Sequence, residues 1–195
     1  MNGVRLGILG GTFDPIHNGH IAAARAAASA LALDRVLLVP AGRPWHRGTP
    51  PVASAQQRLE MTRAAVLGDS LLRASSLDVD RAGDTYAVDL LRDVRLAFPQ
   101  GELVLILGAD AYSRFDSWRS PDEIRSLAQI AVVTRNRGAD TGEVASDSAG
   151  VTEVHLSGYD ISATEIRGRC AAGEPIGHLV PPGVADYIAA HGLYQ

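Results

Sequence analysis

Two glycines, a threonine and two histidines lie close together in residues 10–20 (GGTFDPIHNGH). The apolar residues 6–9 before them predict a short buried strand, and the alanine-rich residues 21–33 after them predict a helix. At the start of a helix the backbone N–H groups have no intrahelical partner, and the helix dipole favours an anion there. His17 and His20 are three residues apart, so their side chains are expected on the same side. The segment therefore predicts a site for a polyphosphate.

The other residues of this segment suit the same chemistry. Gly10 and Gly11 lack a Cβ atom and allow a ligand to approach the backbone, Thr12 adds a hydroxyl, and Pro15 restricts the turn. The alternative is a tight strand–helix turn whose two histidines cap the helix or bind a metal ion. The segment is neither a P-loop nor a dinucleotide fingerprint, because the chain has no lysine and no Gly-x-Gly-x-x-Gly follows the first strand.

A second group of polar residues lies in residues 161–167 (ISATEIR). Ser162 is a typical N-cap, and Glu165 three residues later fits a capping box, so a helix is expected to begin here. Arg167, one turn into that helix, can bind phosphate oxygens with its guanidinium. The alternative is a well-capped helix with a surface arginine. Together with the first motif, the segment could complete a phosphate site from the opposite side.

The elements that must position these motifs alternate along the chain. Further strands are predicted at residues 36–39, 103–107, 130–134 and 151–156, and helices at 55–67, 86–96, 164–171 and 183–190. This alternation predicts an α/β fold with right-handed crossovers and a doubly wound, mostly parallel sheet. We expect residues 1–195 to form a single domain with a C-terminal helical segment from about residue 162. Residues 138–150, rich in polar residues and glycine, predict an exposed loop.

The composition excludes several classes of protein. The formal net charge is −4, which argues against a nucleic-acid partner. All 18 basic residues are arginine, and the absence of lysine excludes a lysine Schiff base or a lysyl adenylate. No apolar run approaches the roughly 18 residues of a membrane span. Cys170 is the only cysteine, so no internal disulfide can form, and a cytoplasmic location is expected. Cys170 itself is expected to be a small packed residue.

The two motifs resemble those of a known family. Residues 10–20 resemble the signature of the (T/H)xGH nucleotidyltransferase superfamily, and residues 161–167 resemble its C-terminal ISSTxIR motif. With residues 44–47, 108–110 and 186–194, the chain resembles the bacterial nicotinate-nucleotide adenylyltransferases. The resemblance implies a Rossmann-like fold and transfer of AMP from ATP to nicotinate mononucleotide, which yields deamido-NAD and pyrophosphate in NAD biosynthesis.

The resemblance also implies a role for individual residues. The catalytic residues would be His17, His20 and Arg167. Contacts to ATP would come from Gly10, Thr12, Phe13, His17, His20, Gly108, Asp110, Ile161, Ser162, Thr164 and Arg167. Contacts to nicotinate mononucleotide would come from Gly10, Gly11, Thr12, His46, Arg47, Thr85 and Trp118. Arg47 stands where the family usually has lysine, Trp45 where it often has proline, and Ala163 where it commonly has serine.

The pyridine end of the site also has an explanation from the residues. Residues 84–86 precede a predicted helix, so amides there could bind the nicotinate carboxylate, and Trp118 could cover the flat ring. The alternatives are an N-cap at Asp84 and a packed tryptophan. Mg²⁺ is expected to be carried by the ATP phosphates without a protein metal site, since no compact set of carboxylates is present. Asp14 could lie near that ion or cap the turn.

Three other functions remain open from the sequence. One is another superfamily transferase, such as a pantetheine-phosphate adenylyltransferase. The second is a nucleotide-binding sensor without turnover, and the third an α/β interaction domain whose histidines only cap a helix. The expected partners are ATP and nicotinate mononucleotide, with no nucleic acid and no membrane, and with homo-oligomer formation left open.

Overall fold

The computed structural model describes residues 3–44, 50–135, 144–146, 150–158 and 160–195. The strands are β1 (Arg5–Gly11), β2 (Arg35–Pro40), β3 (Leu72–Ala74), β4 (Glu102–Gly108), β5 (Gln129–Arg135), β6 (Val144–Ser146) and β7 (Val151–Leu156). The helices are α1 (Asn18–Ala30), α2 (Ala55–Ala65), α3 (Ala87–Ala97), α4 (Ala109–Tyr112), α5 (Pro121–Leu127), α6 (Ala163–Ala171) and α7 (Pro182–Ala190). A short 3₁₀ helix, Phe115–Ser117, follows α4.

The described strands form one sheet in the order β3-β2-β1-β4-β5-β7-β6. Neighbouring strands are parallel except β6, which pairs antiparallel with β7. The chain runs outward from β1 through β2 and β3, then returns to β4 on the other side of β1. Ligands of such sheets bind at the carboxyl ends of the strands where the winding reverses, which here is the gap between β1 and β4. The predicted doubly wound, mostly parallel α/β fold is confirmed.

Both faces of the sheet are buried under helices. Leu9 of β1 belongs to one apolar cluster, with Ala24 of α1 and Val184 of α7, while Ile8 belongs to the other, with Leu91 of α3. Successive residues of a strand point to opposite faces, so a strand buried on both sides needs a continuous apolar run. This requirement explains the sequence LGIL in β1 and LVLIL in β4.

The element bounds differ from the predictions most at the first motif. β1 continues through the glycine pair, because Gly10 and Gly11 pair with Val39 and Pro40 of β2. α1 starts at Asn18 and ends at Ala30, three residues earlier at each end than predicted. The glycines therefore end a strand, and the turn proper comprises residues 12–17.

Other elements were predicted to within two residues or missed. The four further strands and the helices α2, α3, α6 and α7 are confirmed. The sequence analysis missed β3, α4 and α5, which have three, four and seven residues and are too short for a clear periodic pattern. Most of the predicted loop 138–150 lies outside the described residues, but Val144–Ser146 form β6, so the loop prediction was wrong there. Within the described ranges, no helix is both long and apolar enough to span a membrane.

Candidate active site

The turn between β1 and α1 is held by a buried aspartate. The Asp14 carboxylate, only 6% exposed, accepts hydrogen bonds from the backbone N–H groups of Val52 and Ala53 at 2.8 and 3.1 Å. The Tyr194 hydroxyl donates a third bond to Asp14 Oδ1 at 2.8 Å. Of the two roles that the sequence left open for Asp14, the structure shows turn stabilisation. Its oxygens are engaged by protein donors and do not form an open cation ligand.

A buried arginine fixes the same turn from the other side. Arg58 of α2 is 1% exposed, and its guanidinium donates to the carbonyl oxygens of Thr12 at 2.6 Å, Gly42 at 3.2 Å and Ala53 at 3.2 Å. A fork of N–H donors is well suited to several carbonyls that converge on one point. The sequence analysis missed Arg58, because a charged residue on a surface helix is normally expected to face solvent.

Two glycines of the first motif make room for side chains of the protein itself. A Cβ atom on Gly11 would lie 2.5 Å from the ring of Phe13, and one on Gly19 would lie 3.1 Å from Nδ1 of His17. Phe13 has a positive φ of 51°, an uncommon conformation for a large side chain. A Cβ on Gly10 would meet only the Val39 carbonyl oxygen, at 4.0 Å. Open space for a ligand beside the glycine pair is therefore found at Gly10.

The two histidines of the motif lie together, as their spacing predicted. Their rings stack with centroids 3.7 Å apart, and the Phe13 ring meets that of His20 edge-on at 4.9 Å. His17 is buried at 2% exposure, whereas His20 is half-buried. The backbone N–H of His17 donates to His20 Nδ1 at 3.3 Å, which assigns the proton of the neutral His20 ring to Nε2. His20 can therefore donate from Nε2 to an anion.

The second motif contacts the first. Ser162 caps α6, and its Oγ accepts the N–H of Glu165 at 3.1 Å. Arg167 donates to the Thr164 hydroxyl at 3.3 Å and, across 153 residues of sequence, to the backbone oxygen of Asp14 at 2.8 Å. The starts of α1 and α6 thus face each other, with the Arg167 guanidinium between them. Ile161 is buried next to Gly19 of α1.

A cavity of about 400 Å³ lies at the carboxyl ends of β1 and β4. Seven of the predicted site residues line it: Gly10, Gly11, Thr12, Thr85, Gly108, Asp110 and Trp118. Phe13, the two histidines and the second motif form a separate group beyond Thr12. The structure thus brings the described site residues together as two adjoining groups. His46 and Arg47 lie outside the described residues.

The expected pyridine end differs in detail from the prediction. The N–H and the hydroxyl of Thr85 both donate to the Arg43 carbonyl oxygen, each at 3.2 Å. α3 begins after Tyr86, so the alternative of an N-cap at Asp84 was wrong. Because the Thr85 amide is already bonded, the amides suited to an anion are those of the first turn of α3. Trp118 is half-buried and packs 5.5 Å from the Phe115 ring while it lines the cavity.

A second buried aspartate lines this cavity. Asp78 is 7% exposed, and its closest cation is the Arg81 Nε at 3.7 Å, which is too long for a hydrogen bond. Asp78 Oδ1 and Arg81 Nε each lack a hydrogen-bond partner within the described part of the chain, while Arg81 Nη2 pairs with Asp93. Burial raises the pKa of Asp78 to about 6. Sequence reasoning missed this group, because residues 77–81 (LDVDR) resemble an ordinary charged surface segment.

No cluster of three or more histidine, cysteine, aspartate or glutamate side chains is arranged to hold a metal ion among the residues that the structure describes. The donors that converge on the turn are instead imidazole, guanidinium and hydroxyl groups. These groups are suited to phosphate oxygens rather than to a bare divalent cation.

Comparisons with known proteins agree with this architecture. A family model described as cytidylyltransferase-like matches residues 8–169. A protein of Corynebacterium kroppenstedtii named "probable nicotinate-nucleotide adenylyltransferase" is 44% identical over 191 residues, which cover 97% of this chain and 90% of that protein. A protein of the same name from Streptomyces coelicolor is 41% identical over 187 residues, which cover 96% and 99%.

Solved structures extend the comparison to the fold. Nicotinic acid mononucleotide adenylyltransferase of Plasmodium falciparum, solved in complex with NaAD, superposes with a TM-score of 0.73 over 98% of this chain and 97% of that one. Its sequence identity is 18%, so the likeness concerns the fold alone. The relatives above 40% identity and the family model together show that the chain belongs to the nicotinate-nucleotide adenylyltransferase family of cytidylyltransferase-like proteins.

Proposed function

We propose that the chain transfers AMP from ATP to nicotinate mononucleotide and releases pyrophosphate and deamido-NAD. The observation that carries this proposal is the hydrogen bond between Arg167 and the Asp14 carbonyl oxygen. This bond joins the turn before α1 to α6, so the starts of both helices and half-buried His20 lie next to a cavity large enough for a nucleotide moiety. Family membership supports the choice of substrates, since curated relatives carry this activity in their names.

The proposed reaction needs no nucleophile from the protein. A phosphate oxygen of the mononucleotide forms a bond to the α-phosphorus of ATP, and the bond from that phosphorus to the pyrophosphate oxygen breaks. The protein aligns the two phosphates and stabilises the negative charge that develops. His20 donates from Nε2 and Arg167 from its guanidinium, and the first N–H groups of α1 and α6 add positive potential. His17, stacked under His20, would reach the phosphates only if its ring becomes more exposed.

The cavity group and the turn group are proposed to bind different halves of the substrates. Thr85 and Trp118 would hold the pyridine, and Gly108 with Asp110 the nucleoside of ATP. Ser162, Thr164 and Arg167 would hold the outer phosphates of ATP, with Phe13 and Ile161 next to them. Thr12 and the glycine pair would lie between the halves, and His46 and Arg47 are assigned to the phosphates on resemblance alone.

Mg²⁺ fits this site as an ion carried by the ATP phosphates, where it neutralises charge on the leaving pyrophosphate. The donor groups at the turn support this assignment, because they suit phosphate oxygens, while the Asp14 carboxylate is already engaged. We further propose that the chain works as a single domain and in the cytoplasm.

The test is pyrophosphate release from ATP and magnesium with either nicotinate or nicotinamide mononucleotide. We expect rapid release with the acid form and slow release with the amide. Equal rates would keep the reaction class but contradict the carboxylate site at α3. Absence of release with both would contradict the proposal, and pantetheine phosphate would then be the next acceptor to test.

A further inference from the structure

We propose that Tyr194 is a positioning residue of the phosphate site, whose hydroxyl acts through Asp14 to fix the direction of the Arg167 guanidinium. The inference rests on the proposed ATP site and adds a residue that touches no substrate. Tyr194 lies 180 residues after Asp14 and is buried with it.

The connection consists of consecutive hydrogen bonds. The Tyr194 hydroxyl donates to the Asp14 carboxylate at 2.8 Å, and the carbonyl oxygen of the same Asp14 accepts from Arg167 at 2.8 Å. Anchoring the carboxylate orients the whole residue, including its carbonyl. Arg167 therefore has a fixed acceptor, and its N–H groups that bond neither Asp14 nor Thr164 are left to face the phosphates.

Tyr194 can act as an anchor because the elements behind it are rigid. α7 packs against α2, with Gly183 so close that a Cβ would lie 3.2 Å from the Ala64 carbonyl oxygen. After α7 the chain turns back, and the N–H of Leu193 donates to the Ile188 carbonyl oxygen at 3.1 Å. The same helix α2 carries Arg58, which holds the Thr12 carbonyl. The turn is thus fixed at Thr12 and at Asp14 to one helix pair.

The charges around the hydroxyl favour its role as a donor. Burial and the bond to Asp14 raise the pKa of Tyr194 far above its usual range, although Arg167 and Arg58 oppose the shift. The hydroxyl therefore keeps its proton at any pH at which the enzyme could work. It donates to the carboxylate and leaves the donors of both arginines for other oxygens.

The experiment measures the affinity of a non-hydrolysable ATP analogue for the full chain carrying Tyr194→Phe. The substitution removes one oxygen and keeps the ring, so packing is preserved. We expect the dissociation constant to rise about fivefold to tenfold, within the range of measured couplings between residues in one network. The KM for the mononucleotide should stay within about twofold, because Thr85 and Trp118 are not part of the connection. Tyr187→Phe on α7 is the matched control and should leave both values unchanged.

A double-mutant cycle separates positioning from simple stabilisation. In an Arg167→Ala background, Tyr194→Phe should alter analogue affinity by less than about twofold, because the residue it positions is gone. A purely structural role would instead give equal effects in both backgrounds, or a lower Tm with unchanged affinity of the folded protein. Either of these results would overturn the inference.

A pair of isosteric variants covers the case in which Tyr194→Phe does not fold. Tyr194→4-aminophenylalanine restores a donor and should restore affinity, whereas Tyr194→4-fluorophenylalanine should not. Equal affinities of this pair would overturn the inference. Because the readout is binding, failure of the proposed function would be seen separately, as analogue binding by the unmodified chain without pyrophosphate release.

Discussion

Two buried aspartates flank the site and differ in how they are paired. Asp14, at the phosphate side, has three hydrogen-bond donors on its carboxylate. Asp78, at the pyridine side, is as deeply buried but has its nearest cation at 3.7 Å and one oxygen with no hydrogen-bond partner in the described structure. The carboxylate of Asp14 is therefore fully hydrogen-bonded, and that of Asp78 is not. About 60 residues separate the two in sequence.

The difference indicates that the two ends of the site are built for different purposes. Buried polar groups with all their partners rigidify a structure, whereas one that lacks a partner is costly and is retained where it is used. The phosphate side must hold donors in fixed directions around a charge that appears during reaction. The pyridine side is proposed to recognise a ring, and within the described residues a bridge between Pro44 and Thr85 joins two of its loops. Rigidity is therefore expected to matter more for turnover at the phosphate side than at the pyridine side.

The largest effect should follow from the loss of a donor at the phosphate side. His20→Ala removes Nε2, and the rate of pyrophosphate release should fall by about 100-fold to 1,000-fold. Circular dichroism should show that the fold is kept. His178→Ala, an exposed histidine that bonds Asn18 only through its backbone, is the control. Near-normal turnover of His20→Ala would contradict the assigned role.

Removing Arg58, the arginine that holds the turn, should reduce stability more than removing a surface arginine does. Arg58→Ala leaves three carbonyl oxygens, one buried and two partly buried, with one donor fewer each, so the free energy of unfolding should fall by about 3 kcal/mol or more. Urea unfolding measures this value. Arg63→Ala on the same helix, an exposed arginine that pairs with half-buried Glu60, should change it by less than about 0.5 kcal/mol. Similar losses for both variants would contradict the role of Arg58 in holding the turn at the phosphate side.

The unsatisfied aspartate at the pyridine side should be visible in the pH dependence of stability. The pKa of Asp78 is raised from 3.8 to about 6, so between these values the unfolded chain has lost a proton that the folded chain keeps. The contribution of Asp78 to the free energy of unfolding is therefore greatest below pH 3.8, and it is lost as pH rises to about 6. Relative to Asp78→Asn, the unmodified protein should lose roughly 2 kcal/mol over that interval. Parallel pH profiles of the two proteins would contradict the pairing described for Asp78.

The smallest effect is expected for the ring that covers the pyridine. Trp118→Ala should raise the KM for nicotinate mononucleotide about tenfold, the size of one stacking contact. The KM for ATP should change little, since the turn and α6 are untouched. Steady-state kinetics with each substrate varied in turn provide the measurement. Equal changes in both KM values would show that the two ends of the site are not independent.

The sequence predicted the elements that meet at the site better than the bonds that hold them. A strand, a turn and a helix at residues 6–33 follow from local pattern, and the convergence of both motifs follows from the doubly wound topology. Arg58 could not be found in this way, because its guanidinium is held in part by the carbonyls of Thr12 and Gly42, which belong to other loops. The pairing of Asp14 with Tyr194 is equally non-local, although residues 191–194 are part of the family resemblance.

The element bounds at the first motif show a second limit of sequence reasoning. Glycines near a strand end suggested a ligand-facing turn, and Gly11 lines the cavity but also makes room for the Phe13 ring. The absence of a Cβ can serve the protein's own packing as well as a ligand, and only coordinates distinguish these cases. At Gly10 the space is open and the prediction remains.

The separation of 180 residues between Asp14 and Tyr194 has a consequence for the timing of synthesis. At about 5–20 residues per second, a ribosome needs roughly 10–40 s between making the turn and making the tyrosine that completes its hydrogen bonds. During that interval β1, β2 and α1 are already available to fold, while the turn still lacks its last anchor. A nascent chain should therefore gain its full affinity for nucleotide only after Tyr194 has been made, well after the binding motif itself.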